Sequence, residues 1–332
     1  MNLDEENPET LPTLLLPGGV LPLLYHVVSD RALAHVRHLF SYKSRAAFLR
    51  DLDYISAAFR PLNHDEAARR LTGPEIYPIS RVLITFDDGL VECFTTVRPL
   101  LLERALPCVF FVVADFIDNR RLFYRHKVSL CIDQFLGFDA AKRRKVLAEL
   151  RRTFSTDIHD FASFAIWLKR FQIHQEHDID AACEILGVDV DGFLENVAPY
   201  LTSEQLRILA SEGFTIGAHS RTHARFEFLD KGTIEREIVE SCEWVKALTG
   251  QERVPFAFPF SARGVDREHI ARVMSGRPDI GPLYDAEGSM RSHRIIHDRV
   301  CCDEPPLAAE QSNIRSRLAH ITRRLGGPGQ SS

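Results

Sequence analysis

Two short motifs in the chain carry side chains that could bind a metal ion and move a proton. Asp87 and Asp88 stand together in Thr-Phe-Asp-Asp-Gly, directly after the apolar run VLI. His219 and His223 stand four residues apart in His-Ser-Arg-Thr-His, after the run FTIGA. One carboxylate and two imidazoles form a facial ligand set that leaves positions open for water and substrate, as a hydrolytic metal requires. The other carboxylate would then be available to handle a proton.

Each motif alone also has a plainer interpretation. Asp-Asp-Gly is a common turn after a strand, and Gly89 would let the backbone bend sharply there. His219 and His223 lie on one face only if the chain turns helically between them, and otherwise they are two polar loop residues. The two motifs together, each following a predicted strand, favour a metal site.

A third motif, Phe-Ala-Phe-Pro-Phe-Ser at residues 256–261, also follows an apolar run. An aromatic-proline turn at a strand end can present a backbone N–H toward a site, and here that group belongs to Phe260. Phe256 and Phe258 are expected to pack in the core instead.

The elements that must position these motifs alternate along the chain. Short runs rich in Val, Ile, Leu or Phe are predicted as buried strands because they are too short for good helices. These runs are residues 21–28, 81–86, 107–113, 214–218, 255–258 and 294–297. Helical patterns lie between them at residues 44–59, 92–104, 202–212, 233–249 and 266–274. Alternating strands and helices predict a parallel β/α barrel, in which chemistry sits at the carboxyl ends of the strands.

One long segment interrupts this alternation. Residues 119–200 look helical throughout, with Phe and Leu among charged residues. We interpret them as a helical insertion that caps the barrel or contacts a partner. A basic run inside it, from Lys142 to Arg152, is interpreted as the solvated face of a helix.

Composition limits the class of protein. The 332 residues are 45% hydrophobic and 26% charged, the balance of a soluble globular enzyme. A net charge of -5 argues against a nucleic-acid partner bound through a large basic face. The apolar stretch at residues 11–28 is interrupted by prolines and glycines, so it is not expected to be an integral membrane span.

The cysteines and the N-terminus indicate a cytoplasmic location. The chain has seven cysteines and no Cys-x-x-Cys pair, which suits a reducing compartment better than a disulfide framework. The acidic start MNLDEENPETLP lacks the basic residues that open a secretory signal. Loose attachment to a membrane surface stays compatible with this start.

The three motifs, in this order and each after a strand, resemble those of the polysaccharide deacetylases, the NodB-homology family of carbohydrate esterases. The resemblance covers roughly residues 21–299. It implies a distorted β/α barrel with fewer than eight complete units, placed at residues 19–310 between an N-terminal extension (1–18) and a C-terminal tail (311–332). It also implies that Asp87 is the catalytic base and that Asp88, His219 and His223 are the metal ligands.

The sequence departs from the family pattern beside the third motif. Many relatives have an arginine that orients the base two residues before the proline of this motif, and here that position is Ala257. Arg253 and Arg263 are the nearest candidates to replace it, and their spacing does not choose between them.

The sequence also lacks the late Leu-x-His that supplies the general acid in many relatives. The start LPLLYHVV resembles the variant in which the barrel is circularly permuted and the strand with the acid histidine comes first. We therefore predict His26 as the general acid and keep His297 as the alternative. The plainer interpretation of His26 is a histidine packed in the core.

The expected activity is removal of an N-acetyl or other N-acyl group from an amino sugar or a polysaccharide precursor. Zinc is the metal expected from these ligand types, although the set also accepts cobalt, nickel or iron. Two alternatives stay open: a deformylase or deacetylase of a lipid- or nucleotide-linked sugar, and a non-catalytic carbohydrate-binding or scaffold protein that retains the fold. The sugar, the acyl group and the oligomeric state are not specified by the sequence.

Overall fold

The structure, a computed structural model, describes residues 15–286 and 295–303. Most of the predicted N-terminal extension and all of the predicted tail at 311–332 lie outside these residues. The strands are β1 (Leu15–Pro17), β2 (Val20–Tyr25), β3 (Arg60–Pro61), β4 (Ile76–Pro78), β5 (Arg81–Phe86), β6 (Val109–Val112), β7 (Thr215–Ala218), β8 (Val254–Ala257), β9 (Ile280–Asp285), β10 (Ile296–Asp298) and β11 (Val300–Cys301). The α-helices are α1 (Arg45–Ala58), α2 (His64–Leu71), α3 (Arg98–Glu103), α4 (Tyr124–Gly137), α5 (Ala140–Phe154), α6 (Phe161–Lys169), α7 (Glu176–Leu186), α8 (Val190–Val197), α9 (Ser203–Ser211), α10 (Lys231–Thr249) and α11 (Arg267–Ser275).

The larger sheet forms a parallel barrel closed by the last described segment of the chain. Its strands follow the order β2, β5, β6, β7, β8 and β9, and each neighbouring pair is parallel. β10 then pairs with β9, and β11 pairs with β2, with only Arg299 between the two. One continuous segment therefore joins both edges of the sheet. The predicted α/β barrel with fewer than eight units is confirmed for the described residues.

Local sequence signals placed most of the surrounding helices. Ser44 caps α1, and the side chain of Thr202 forms a capping box with Gln205 at the start of α9. α10 ends at Gly250, whose φ of 72° is the left-handed conformation that glycine adopts readily.

Several elements were not predicted from the sequence: the short strands β1, β3, β4 and β11, the strand β9 and the helix α2. β9 contains Gly281-Pro282, a pair typical of turns, yet it is a fully buried barrel strand. α2 is short, and only its cap at Asn63 marks its start. The predicted strand at 294–297 is displaced and corresponds to β10, which ends at Asp298.

The segment interpreted as a helical insertion contains α4 to α8, and its apolar side chains form one core with loop residues of the barrel such as Val27 and Leu90. Buried side chains of this core include Phe135, Phe164 and Leu168. The basic run lies on α5, where Lys142 and Arg144 are exposed as expected, while apolar side chains of the same helix face inward. None of the described helices is both long and apolar enough to cross a bilayer.

A buried ion pair lies beneath the strand that leads to His26. Lys43 Nζ is 3.0 Å from Asp51 Oδ2, and the two side chains are 0% and 1% exposed. The hydroxyl of Tyr25, on β2, donates to the same carboxylate oxygen at 3.2 Å. Burial first, and then Cys302 and Asp51, raise the pKa of Tyr25 well above its usual value. The pair thus ties α1 to the end of β2.

Removing one partner of this pair should destabilise the protein strongly. Lys43→Met leaves Asp51 buried without its main counter-charge, and the expected loss in the free energy of unfolding is about 3–5 kcal/mol. The double variant Lys43→Met/Asp51→Leu should recover most of that loss, because it removes both buried charges. Denaturant unfolding measures both values.

The matched control is the exposed pair of Arg60 and Glu66, whose side chains are 63% and 33% exposed. Arg60→Met should cost less than about 1 kcal/mol. If Lys43→Met lowered the free energy of unfolding no more than Arg60→Met does, the proposed contribution of the buried pair to stability would be contradicted.

Candidate active site

The two acidic residues of the first motif follow β5, and His219 follows β7. Because β6 pairs with both of these strands in parallel, their carboxyl ends lie at the same mouth of the barrel. There His223 Nε2 lies 3.1 Å from Asp88 Oδ1, and His219 Nε2 lies 3.5 Å from the same oxygen. All three side chains are buried. The structure therefore assembles the predicted ligand set.

The two histidines meet through an irregular loop, not through the helical turn considered from their spacing. Ser220 and His223 both have positive φ, at 65° and 59°. The N–H of His223 donates to the buried Ser220 hydroxyl at 2.9 Å, which holds the loop in this shape. Asp88, with φ 73°, and Phe260, with φ 59°, share the left-handed conformation. Such backbone conformations in residues other than glycine cost free energy and cluster at functional sites.

The donor set fits a divalent ion of the zinc type. The ligand atoms of Asp88, His219 and His223 all lie within 4.8 Å of one another. His219 Nδ1 donates to the carbonyl of Ala257 at 2.8 Å, which leaves the lone pair of Nε2 facing Asp88. Burial raises the pKa of Asp88, but its contacts with the two histidines outweigh it and hold the pKa well below the usual value. An ionised carboxylate and a correctly oriented imidazole are what such an ion requires.

Asp87 makes a different set of contacts, which separates it from Asp88. Its carboxylate accepts two hydrogen bonds from Arg299, at 2.6 and 2.7 Å, and Arg299 is fully buried. The same guanidinium donates to the Thr85 hydroxyl at 3.1 Å and lies over the ring of Phe111. Burial raises the pKa of Asp87, but the charge of Arg299 outweighs it, so the pKa is lowered overall. Asp87 is thus held as an oriented carboxylate next to the ligand set.

Arg299 was missed from the sequence, and neither proposed replacement takes its place. Arg253 is exposed and donates to the carbonyl of Pro278, while Arg263 is exposed in the loop after β8. Arg299 lies in the closing segment between β10 and β11. The position of Arg299, in the polar residues directly after the last predicted strand, could have indicated its role. A barrel whose first strand is β2 must end with a strand beside β2.

His26 lies at the mouth of the barrel, just after β2, and is paired with an acidic residue from the closing segment. Its Nδ1 is 2.5 Å from Asp303 Oδ2, and its side chain is 23% exposed. Burial lowers the pKa of His26, but Asp303 and the two site aspartates raise it to about 9 overall. With Nδ1 engaged, Nε2 is the ring nitrogen left for a ligand in the cavity. Asp303, like Arg299, had not been singled out in the sequence.

His297, the alternative acid, is placed differently. It is buried on β10 with its ring centroid 6.3 Å from that of Tyr284. It is not among the residues that line the cavity containing His26 and the aspartates. The structure therefore brings His26, and not His297, to the predicted site.

A cavity of about 390 Å³ opens above these residues. Asp87, Asp88, His26, His219 and His223 all line it, together with Phe260. The Phe260 ring packs against the ring of His223, with 5.0 Å between the two ring centroids. As expected, Phe256 and Phe258 are fully buried, although Phe258 also borders the cavity. The arrangement offers a metal site, an oriented carboxylate and a protonatable histidine around one small-molecule cavity.

Solved structures with a similar fold include the following two. The chain is similar to the Streptococcus pyogenes deacetylase PplD in complex with acetate, at 13% identity and a TM-score of 0.56, over 93% of this chain and 99% of that one. It is also similar to IcaB from Ammonifex degensii, at 16% identity and a TM-score of 0.51, over 92% of this chain and 97% of that one. At such identities these matches show the fold alone.

No curated protein matches the chain. The model of the polysaccharide deacetylase family, however, matches residues 77–275, which is more than half of the chain and includes the first three motifs. The protein therefore belongs to the polysaccharide deacetylase family.

Proposed function

We propose that the protein is a metal-dependent hydrolase that removes an N-acetyl group from an amino sugar or a polysaccharide precursor. The observation that carries the proposal is that the two neighbouring carboxylates have different partners. Asp88 faces two histidines, whereas Asp87 is held by Arg299. One carboxylate is thus placed to bind an ion and the other to accept a proton.

Asp88, His219 and His223 would hold the ion, and zinc suits this set of one oxygen and two nitrogen ligands. When bound, such an ion polarises the acyl carbonyl and lowers the pKa of water. The Nδ1–H of His219 fixes the ring by donating to Ala257 O. This contact belongs to the protein alone and orients the ligand before any ion arrives.

Asp87 acts as the general base in this proposal. The two hydrogen bonds from Arg299 fix the plane of the carboxylate and keep it ionised. A carboxylate has about four lone-pair sites, so two donors leave capacity for the proton of the attacking water.

His26 acts as the general acid. An amine leaves poorly as an anion, so the amide nitrogen must be protonated as the bond to the acyl carbon breaks. Asp303 favours the protonated imidazolium and binds Nδ1, which directs Nε2 to the substrate. The backbone N–H of Phe260 would donate to the oxyanion that forms at the acyl carbon.

The first test separates ligands from base. We expect about one divalent ion per chain, and loss of it in His219→Ala, His223→Ala and Asp88→Asn. Asp87→Asn should retain the ion and lose most of the acetate release from acetylated amino sugars. Elemental analysis and an acetate assay give both readouts. If Asp87→Asn lost as much of the ion as Asp88→Asn, the proposed roles of the two aspartates would be contradicted. If the native chain bound metal but released no acetate, a non-catalytic carbohydrate-binding protein would be favoured.

The second test concerns Arg299. Arg299→Met removes both hydrogen bonds to Asp87, so kcat should fall by about 10²-fold or more while the metal content stays normal. Arg299→Lys keeps the charge but not the paired geometry, and it should recover only part of the rate. Thermal unfolding of both variants controls for lost stability. An Arg299→Met variant that kept both its metal and its activity would contradict the proposed role of Arg299 in orienting Asp87.

The third test concerns the acid. His26→Ala should lower kcat by about 10²–10⁴ with normal metal content. An activated aryl acetate needs no protonation of its leaving group, so its hydrolysis should be much less affected.

Asp303→Asn lowers the pKa of His26, so the alkaline limb of the activity profile should move to lower pH. His297→Gln is the matched control and should be nearly silent; the reverse pattern for the two histidines would transfer the role to His297.

A further inference from the structure

Two arginines from different parts of the chain line the cavity beside the proposed metal ligands. Arg125 lies in the first turn of α4, in the helical insertion, and Arg225 follows the loop that carries His223. Their guanidinium carbons lie 5.9 Å and 4.7 Å from the centroid of the same Phe260 ring. Both distances are within the range of cation–π attraction. The two cations thus share one wall of the cavity.

The charge on this wall is only partly balanced. Among the described residues, Arg125 makes no ion pair with a carboxylate, and the ion pair of Arg225 is with Glu227 through Nε at 3.0 Å.

The acidic residues of the cavity are already engaged elsewhere. Asp87 is bound by Arg299, and Asp88 faces the two histidines. Asp303, just behind His26, is bound to that histidine. The Arg125–Arg225 wall therefore presents positive charge to whatever enters the cavity.

We propose that the substrate is an N-acetylated amino sugar that carries a phosphate ester, and that Arg125 and Arg225 bind the phosphate. This inference rests on the proposed function. A phosphate monoester carries about -1.5 to -2 charges at neutral pH, which matches two guanidiniums better than a single carboxylate does. Guanidinium also matches phosphate oxygens in bidentate geometry.

The spacing of the wall and the site suits a single sugar. The Phe260 ring contacts both His223 and Arg225. A single aromatic ring therefore separates Arg225 from His223, a proposed metal ligand. In a 2-acetamido sugar 1-phosphate, the acetamide and the phosphate lie on neighbouring ring carbons, so one molecule can reach both. A cavity of about 390 Å³ is the size of a small-molecule site. Free sugar phosphates, nucleotide-linked sugars and lipid-diphosphate-linked sugars all carry an anionic phosphate on this carbon, although the two linked forms are diphosphate diesters with less charge on each phosphate.

The test compares substrates with and without the phosphate. The zinc-loaded full chain is assayed for acetate release from N-acetylglucosamine 1-phosphate and from methyl N-acetylglucosaminide. Arg125→Met and Arg225→Met keep the aliphatic stem and remove the charge. Each should lower kcat/KM for the phosphate substrate by roughly 10- to 100-fold, and for the neutral substrate by less than about threefold. Arg144→Met, an exposed arginine of the same insertion, is the control for net charge and should leave both substrates unchanged.

A binding measurement separates this inference from the proposed function. Glucose 1-phosphate has the phosphate but no acetamide, and calorimetry compares its affinity with that of methyl glucoside. Weaker binding in the two arginine variants, but not in Arg144→Met, would support the phosphate site even if no acetate were released from any substrate. Equal affinity for the charged and neutral sugars, or equal behaviour of all three variants, would overturn it.

The source of the phosphate is then distinguished by substrate. Acetate release is compared for the sugar 1-phosphate, the uridine diphosphate sugar and a short-chain polyprenyl diphosphate sugar. The highest kcat/KM identifies the source, and all three should depend on the two arginines. A neutral chito-oligomer that exceeds all three, with no arginine dependence, would contradict the inference.

Discussion

The buried pair of Arg299 and Asp87 is the contact on which the site depends. Taking two charges out of water costs several kcal/mol for each ion, and the cost is offset only when the geometry is close to ideal. Arg299 meets that condition with two hydrogen bonds to Asp87 and a third to Thr85. Because Arg299 lies in the segment that joins β9 to β2, closing the barrel and positioning the proposed base are one structural event. A barrel that failed to close would leave Asp87 buried without its partner.

The closing segment also supplies the partner of the proposed acid. Arg299 and Asp303 lie four residues apart, and they bind Asp87 and His26, respectively. The proposed base and the proposed acid are therefore both oriented from the same short stretch of chain. In space this closing segment lies beside β2, the strand that leads to His26.

The sequence predicted what depends on local patterns. Asp87, Asp88, His219 and His223 could be placed because each follows a short apolar run, and the carboxyl ends of parallel strands meet at one mouth. The caps at Ser44 and Thr202 could likewise be identified from neighbouring residues.

Other features depend on contacts between distant parts of the chain. Arg299 and Asp303 lie more than 200 residues from their partners, and no spacing rule connects them. β9 was missed because the burial of the whole strand overrides the turn preference of Gly281-Pro282. The loop from His219 to His223 was considered as a helical turn, whereas its ring positions come from two left-handed residues that only the surrounding packing can hold.

The helical insertion is tied to the site at both of its ends. At its start, the N–H of Phe123 donates to the Tyr200 hydroxyl at 3.0 Å, and the Phe123 ring lies 4.5 Å from that of His223. At its end, Leu201 N–H donates to the carbonyl of Gly89 at 2.9 Å, in the turn that carries Asp88. The segment that supplies the cavity wall and the segment that supplies a proposed metal ligand are therefore joined by backbone hydrogen bonds. The insertion therefore contacts the proposed metal site at two points, the His223 ring and the Asp88 turn, and it also lines the cavity beside them.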